Sequence, residues 1–170
     1  MDQKNQELTY VFVYGTLLRG LYNNLAQKLD QQVFIGSGQT VDSGIMHIYQ
    51  TYLPMVDFNI QISPIKGEVF AVSSDKLKQL DRLESCDEVG GYAKVLIDVY
   101  LQSDDKDQRI PDGKIVKAYI YTRNYEDDDI NSNEETVLRQ YVHKGDYRKY
   151  IQSLPRKLQN QLITDQKYFN

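Results

Sequence analysis

The chain has 170 residues, with 20 basic and 24 acidic side chains and a formal net charge of −4. This length suits one domain whose core needs no metal or disulfide support, and the single cysteine excludes an internal disulfide and the usual zinc spacings. The basic residues are scattered, so no nucleic-acid partner is expected. No stretch approaches the roughly 18 apolar residues of a membrane span, and residues 1–10 lack a secretory signal pattern, so we expect a cytoplasmic protein.

The first third of the chain is predicted to be mainly β-structure. Short runs rich in β-branched and aromatic residues predict strands at Thr9–Tyr14, Val33–Ile35 and Gln39–Tyr49, separated by glycines. A short helix is predicted at Asn23–Asp30. Pro54 and Pro64 are predicted to mark loops on either side of a segment with weak preferences.

A capped helix is predicted near the middle of the chain, after a strand at Lys66–Val72. The side-chain oxygen of Ser73 can cap its first turn, because serine accepts a hydrogen bond from a backbone N–H there. Leu77, Leu80 and Leu83 then recur at one-turn spacing, which predicts that all three face the core.

The second half of the chain is predicted to contain paired strands followed by helices. Strands are expected at Tyr92–Leu101 and Ile115–Thr122, joined by a polar hairpin loop at 102–114. The acidic run 126–129 indicates a solvated loop. Helical patterns return at Glu134–Val142 and Pro155–Ile163. This order predicts a mixed α+β sheet or partial barrel with peripheral helices.

The first predicted strand runs directly into a glycine-bearing turn, Tyr14-Gly15-Thr16-Leu17. Such a junction leaves successive backbone N–H groups unpaired, and together they form a nest that is sized for a carboxylate. Ordinary turns show the same pattern. The motif alone therefore does not decide between a binding role and a structural one.

Glu84 follows Leu83 at the end of the predicted capped helix. If Leu83 faces inward, the neighbouring carboxyl group can border a pocket, where partial burial would raise its pKa and suit it to proton transfer. The alternative is a surface charge, which is the commoner role of a glutamate at a helix end.

Other candidate groups are few. His47 lies inside a predicted strand, where a packed histidine is the ordinary interpretation, and His143 is the other imidazole. Cys86 lies two residues from Glu84, so a thiol nucleophile is conceivable. Its acidic neighbours would raise rather than lower the pKa of the thiol, which disfavours that role.

The motifs occur in an order that resembles the gamma-glutamyl cyclotransferase-like family, including its gamma-glutamylamine cyclotransferase branch. The matching segments are Tyr14-Gly15-Thr16-Leu17 with Gly20, Tyr52-Leu53-Pro54, Gly67-Glu68-Val69-Phe70, Leu80-Asp81-Arg82-Leu83-Glu84, Tyr92, and Ala118-Tyr119-Ile120-Tyr121. They cover about residues 9–122, with a weaker echo at 144–147. In this chain Leu53 interrupts a Tyr-Pro pair, residues 87–91 lengthen the link between Glu84 and Tyr92, and the segment after Tyr147 lies outside the pattern.

The resemblance implies an α+β fold, a small mixed-sheet barrel with flanking helices, in a single domain at 1–170 with a helical C-terminal extension. It implies that Glu84 is the acid/base residue. The residues implied to bind the substrate are Tyr14, Gly15, Thr16 and Leu17, with Tyr92 and Tyr121 near the pocket. The implied reaction releases 5-oxoproline and a free amine or amino acid from a gamma-glutamyl amide by attack of the substrate's own α-amine, without a metal or organic cofactor.

A binding module from another functional class is the alternative. On the same fold, it would capture a small carboxylate without turnover. Release of 5-oxoproline from gamma-glutamyl amides would distinguish the two. The expected partner is a small-molecule gamma-glutamyl substrate rather than nucleic acid or a membrane, and the chain is expected to be a monomer or weak homodimer. The sequence leaves the leaving amine open.

Overall fold

The computed structural model describes residues 8–49, 52–102, 106–123 and 140–169. The described residues form seven strands: β1 (Thr9–Val13), β2 (Val33–Tyr49), β3 (Leu53–Asp57), β4 (Ser63–Val72), β5 (Ala93–Leu101), β6 (Ile115–Thr122) and β7 (Gln140–Tyr141). They also form the α-helices α1 (Tyr22–Ala26), α2 (Ser74–Leu83), α3 (Tyr147–Ser153) and α4 (Arg156–Leu162). Short 3-10 helices lie at Leu29–Gln31, His143–Gly145 and Gln166–Phe169.

Five strands close into a barrel in the order β2, β4, β1, β6 and β5, and β5 pairs back onto β2. Strands β1 and β6 are parallel, whereas the other neighbouring pairs in the ring are antiparallel. Strands β3 and β7 pair with the far end of β2, outside the ring. This architecture confirms the predicted small mixed barrel with flanking helices.

Burial changes along the barrel strands. In β6, Lys117 is exposed and Ala118 is fully buried, and the last three residues, Ile120, Tyr121 and Thr122, are all buried. In β1, Val11 and Phe12 are both buried, so this strand is covered on both faces. The turn Tyr14-Gly15-Thr16-Leu17 therefore follows a strand that is enclosed on both faces.

Strand β2 runs unbroken from Val33 to Tyr49, so the predicted break into two strands is wrong. Gly36 and Gly38 lie inside the strand instead of interrupting it. A Cβ at Gly38 would overlap the carbonyl oxygen of Tyr100, so the glycine permits the close approach of β5 that closes the barrel. A register shift between Gln39 and Ser43 then bends the strand away from the ring.

The prediction that Pro54 and Pro64 mark loops is also wrong, because both lie within strands. Pro54 lies in β3, at the end of the strand order, where a missing N–H donor is tolerated. Pro64 faces Ser43, at the edge of the irregular stretch of β2. Proline thus occupies edge and bulge positions here.

The first helix is shorter than predicted. It ends at Ala26, and Lys28 adopts a left-handed conformation with φ of 54° before the 3-10 turn at Leu29–Gln31. That conformation does not continue an α-helix, so the predicted helix at Asn23–Asp30 divides into two short turns.

The C-terminal part differs from its predicted helical pattern in two ways. Gln140 and Tyr141 pair with β2 as a strand, so the end of the helix predicted at Glu134–Val142 is wrong. Residues 134–139 and the predicted acidic loop at 126–129 lie outside the described residues. Helix α3 was not predicted, whereas α4 falls within the predicted Pro155–Ile163 helix.

Helix α3 is tied to the barrel by buried charge. Arg148 Nη2 lies 2.8 Å from Glu68 Oε1, and Arg148 Nη1 donates to the carbonyl oxygen of Arg19 at 2.9 Å. Glu68 also accepts from Arg19, whose Nε lies 3.0 Å from the same oxygen. Within the described ranges, no helix is long and apolar enough to cross a membrane.

Candidate active site

Helix α2 delivers Glu84 to its position. Ser73 caps the helix as predicted, because its Oγ accepts from the N–H of Lys76 at 3.2 Å, and Leu80 is fully buried beneath it. Glu84 is the C-cap residue, and its N–H donates to Leu80 at 2.9 Å while its carbonyl oxygen accepts from Tyr92 at 3.0 Å. The backbone of Glu84 is therefore fixed by the helix on one side and by the start of β5 on the other.

Leu83 does not face the core, contrary to the prediction. Its residue is 43 % exposed, and it lines a cleft beside Glu84. A side chain that borders an open cleft keeps contact with water, which explains the exposure. The prediction that the Glu84 carboxyl borders a pocket holds all the same.

This cleft has a volume of about 270 Å³. Every site residue that the resemblance implied lines it: Tyr14, Gly15, Thr16, Leu17, Glu84, Tyr92 and Tyr121. The structure thus brings together residues from four separate parts of the sequence. Sequence reasoning missed Asn23, Tyr49 and Arg123, which also line the cleft. Arg123 lies directly after β6, the strand that carries the matched Tyr121, and this position could have identified it as a cleft residue.

The turn after β1 forms one wall of the cleft. It is closed by a hydrogen bond from the N–H of Leu18 to the Gly15 carbonyl oxygen at 3.0 Å, and Asn24 donates to the Leu17 carbonyl oxygen at 2.7 Å. Among the described residues, none accepts a hydrogen bond from the N–H groups of Gly15, Thr16 or Leu17. These three N–H groups are therefore candidate donors for a carboxylate at this wall.

Gly15 is required by a contact rather than by its dihedral angles. Its φ is not in the left-handed region, so its dihedral angles alone do not require glycine. A Cβ at this position would overlap Pro54 Cγ, so β3 can pack against the turn only when residue 15 lacks a side chain. The matched Tyr52-Leu53-Pro54 segment and the turn are thus parts of one packing unit.

Two tyrosine hydroxyl groups fasten the walls of the cleft to each other. Tyr14 Oη donates to the Tyr121 carbonyl oxygen at 2.8 Å, and Tyr92 Oη donates to the Pro54 carbonyl oxygen at 3.2 Å. Burial is the main cause that raises the pKa of Tyr14 well above its ordinary value, and the nearby Tyr92 and Glu84 raise it further. Tyr14 therefore stays a neutral donor at physiological pH.

A second chain of contacts braces helix α2 near its C-terminal end. Tyr121 Oη donates to Asp81 Oδ1 at 2.8 Å, and Asp81 Oδ2 lies 2.6 Å from Lys94 Nζ. Burial and the hydrogen bond to Asp81 raise the pKa of Tyr121. Asp81 lies one turn before Glu84, so strands β5 and β6 both hold the turn that carries the candidate acid/base group.

Burial raises the pKa of Glu84 from 4.5 to about 7. A carboxyl group with a pKa near the working pH is populated in both its acid and base forms, which is the property that a general acid/base requires. The cleft therefore contains one titratable carboxyl group that is suited to moving a proton in either direction.

The other candidate groups fit catalysis less well. Burial, with Asp81 and Glu84 nearby, raises the pKa of the Cys86 thiol to about 11, so the thiolate is scarce at neutral pH. His47 is buried in β2 and does not line the cleft. Across the described ranges, no cluster of three or more His, Cys, Asp or Glu residues could hold a metal ion.

The family model described as gamma-glutamyl cyclotransferase, AIG2-like, matches residues 11–149. This chain belongs to that family. The match covers β1 through the start of α3, including all seven cleft residues implied by the sequence, whereas α4 lies beyond it.

One relative supports this assignment, and two solved structures share the fold. A protein of Methanocaldococcus jannaschii that carries the provisional name gamma-glutamylcyclotransferase is 33 % identical over 114 residues, covering 67 % of this chain and 83 % of the relative. The fold is shared with an AIG2-like protein from Mus musculus, with a TM-score of 0.60 and 22 % identity over 81 % of this chain and 87 % of that one. It is also shared with the uropathogenic E. coli protein c4763, with a TM-score of 0.57 and 16 % identity over 88 % and 99 % of the two chains.

Proposed function

We propose that this family member is a gamma-glutamyl cyclotransferase that converts a gamma-glutamyl amide to 5-oxoproline and a free amine. The observation that carries the proposal is the placement of Glu84, whose raised pKa is about 7, in the same cleft as the N–H groups of Gly15, Thr16 and Leu17. This arrangement places a carboxyl group that can transfer protons beside backbone donors that can bind a carboxylate.

The turn after β1 binds the glutamyl part of the substrate in this proposal. Its three N–H donors take the α-carboxylate, because a nest of backbone donors suits a compact anion without presenting a second ionised side chain. Tyr14, Tyr92 and Tyr121 supply neutral walls around the glutamyl chain. The α-amine is then held on the Glu84 side of the cleft.

The reaction uses the substrate's own nucleophile. The neutral α-amine attacks the side-chain amide carbon, which forms the five-membered ring, and Glu84 accepts the proton that the nitrogen loses. Protonated Glu84 then gives this proton to the leaving nitrogen as the original amide C–N bond breaks. Holding the substrate folded in a near-attack geometry removes much of the entropic barrier. No water is consumed.

The proposal is tested by incubating the purified protein with a panel of gamma-glutamyl amides and measuring 5-oxoproline. We expect release by the wild type and a loss of at least about a hundredfold in turnover for Glu84→Gln, the scale of a lost acid/base group. The matched control is Glu88→Gln, which changes an exposed glutamate in the next turn of the chain and should leave turnover unchanged.

Binding of a gamma-glutamyl amide without any 5-oxoproline would instead support the module that only captures a carboxylate. Burial of Glu84 argues against that module, because a binder gains nothing from a second, desolvated carboxyl group in a carboxylate site. Near-normal turnover by a folded Glu84→Gln variant would contradict the assignment of Glu84.

A further inference from the structure

A second cavity, of about 530 Å³, lies beside the candidate active-site cleft. The two share Thr16 and Asn23 as lining residues, and Asn23 Nδ2 donates to Thr16 Oγ1 at 3.0 Å. This hydrogen-bonded pair is the boundary between the two spaces. The two cavities therefore adjoin at Thr16 and Asn23.

The far wall of this cavity is supplied by α4, which contributes Leu158 and Leu162. Helix α4 lies beyond the residues that match the family model, so this wall comes from the C-terminal segment outside the match. A bridge between Leu21 and Ile163, and a hydrogen bond from the N–H of Thr164 to Gly20 at 2.8 Å, fix α4 beside the turn that carries Thr16. These contacts hold α4 in a fixed position relative to the turn after β1.

The lining of the cavity is mainly apolar and aromatic, with three uncharged polar residues, Thr16, Asn23 and Gln161. Tyr22 and Tyr52 are 63 % and 43 % exposed, so their rings present apolar surface that a bound group can contact. No acidic or basic side chain belongs to the described lining. A zwitterionic or ammonium-bearing group would be desolvated here without a partner, whereas an aromatic or alkyl group would replace water at apolar surface.

We propose that this cavity is the subsite for the leaving amine, and that it selects gamma-glutamyl amides whose amine carries an uncharged aromatic or alkyl group. The proposal rests on the proposed function, because it assigns the two ends of one substrate to the two joined spaces. The glutamyl part occupies the cleft with Glu84, the scissile amide lies at the Thr16–Asn23 boundary, and the amine substituent lies between Tyr22 and α4.

The test compares three substrates of the same protein: gamma-glutamyl methylamide, gamma-glutamyl phenethylamide and gamma-glutamyl-ε-lysine. We expect the phenethylamide to have the highest kcat/KM, by about tenfold over the methylamide, since burial of a ring's apolar surface is worth at least that much. Equal kcat/KM for methylamide and phenethylamide, or preference for the lysine compound, would overturn the subsite.

Two variants locate the effect. Tyr22→Ala and Leu158→Asn should raise KM for the phenethylamide about tenfold and leave kcat/KM for the methylamide within about twofold, as expected for the loss of an apolar contact on the amine side. Leu25→Ala, on the same helix as Tyr22 but away from the cavity, is the matched control. A phenethylamide KM that is unchanged in Tyr22→Ala and Leu158→Asn would overturn the proposal.

Calorimetric binding to Glu84→Gln separates this proposal from the proposed function. If no amide yields 5-oxoproline, the proposed function fails, but the subsite still requires that phenethylamide binds Glu84→Gln more tightly than methylamide does. Adding Tyr22→Ala to that variant should abolish the difference. Equal affinities of Glu84→Gln for the two amides would overturn the subsite whatever the turnover result.

Discussion

The candidate acid/base residue occupies a position where the backbone is rigid and the side chain is desolvated. Glu84 is held through both its N–H and its carbonyl oxygen, and burial alone accounts for the raised pKa of its carboxyl group. The neighbouring cysteine shares the surroundings but gains no reactivity, because burial and nearby carboxylates raise the pKa of its thiol too. One environment therefore favours proton transfer by a carboxyl group and disfavours attack by a thiol.

The raised pKa of Glu84 predicts a pH-dependent stability difference. The folded state holds this proton more tightly than the unfolded state, so the resulting stability is fully present below about pH 4.5 and is lost as the pH rises through about 7. Glu84→Gln removes the buried charge, so the variant should match the wild type near pH 4.5 and be more stable near pH 8.5, by up to about 3 kcal/mol. Chemical denaturation at both pH values measures this.

The exposed Glu88→Gln variant is the control, and its stability relative to the wild type should not change between the two pH values. A Glu84→Gln variant that is no more stable than the wild type near pH 8.5 would show that the carboxyl group is not desolvated in the folded protein.

The contact between Gly15 and Pro54 predicts a coupled pair of substitutions. Gly15→Ala should destabilise the protein by about 1–3 kcal/mol, the usual cost of overpacking, because its new Cβ meets Pro54 Cγ. In a Pro54→Ala background that atom is gone, so the same substitution should cost much less. Thr16→Ala, which removes only a half-buried hydroxyl group that accepts from Asn23, should be mild. Equal costs of Gly15→Ala in both backgrounds would contradict the packing explanation.

At the scale of the elements, the buried ion pairs of Glu68 attach helix α3 to the barrel. Arg148→Ala should lower the free energy of unfolding by about 2 kcal/mol, the range for a charge-assisted hydrogen bond, because Glu68 would lose its pairing with Arg148 and keep that with Arg19. The control is Lys66→Ala, which removes the exposed pair with Asp146 on the same segment and should cost under about 1 kcal/mol. Urea denaturation and limited proteolysis of residues 147–169 measure both, and equal losses would contradict this attachment.

The sequence predicted elements whose signals are local and missed features that depend on distant contacts. The Ser73 cap is readable from neighbouring residues, and this prediction is confirmed. The continuity of β2 depends on Tyr100 lying against Gly38, and the place of Pro54 depends on β3 being at a sheet edge. Neither fact is visible within the segments themselves, so glycine and proline were misinterpreted as breaks.

At the scale of the whole molecule, closure of the barrel brings motifs that are far apart in the sequence into one cleft. Strand β1 lies between β4 and β6, so the turn after β1 meets the end of β6 that carries Tyr121, while α2 brings Glu84 to the same cleft. The ordered motifs predicted this set of residues through the family resemblance. Of the residues missed, Asn23 and Tyr49 have no motif signal of their own, whereas Arg123 could have been inferred from its place directly after the matched strand.

In the proposed reaction the substrate's own α-amine, and not water, attacks the amide carbon. The most direct measurement is mass spectrometry of the products formed in ¹⁸O-labelled water from a gamma-glutamyl amide and from its N-acetylated form. We predict unlabelled 5-oxoproline from the free amide and no product from the blocked one, because acetylation removes the attacking lone pair. Labelled glutamate from the free amide, or N-acetylglutamate from the blocked one, would show that Glu84 activates water and would contradict the claim.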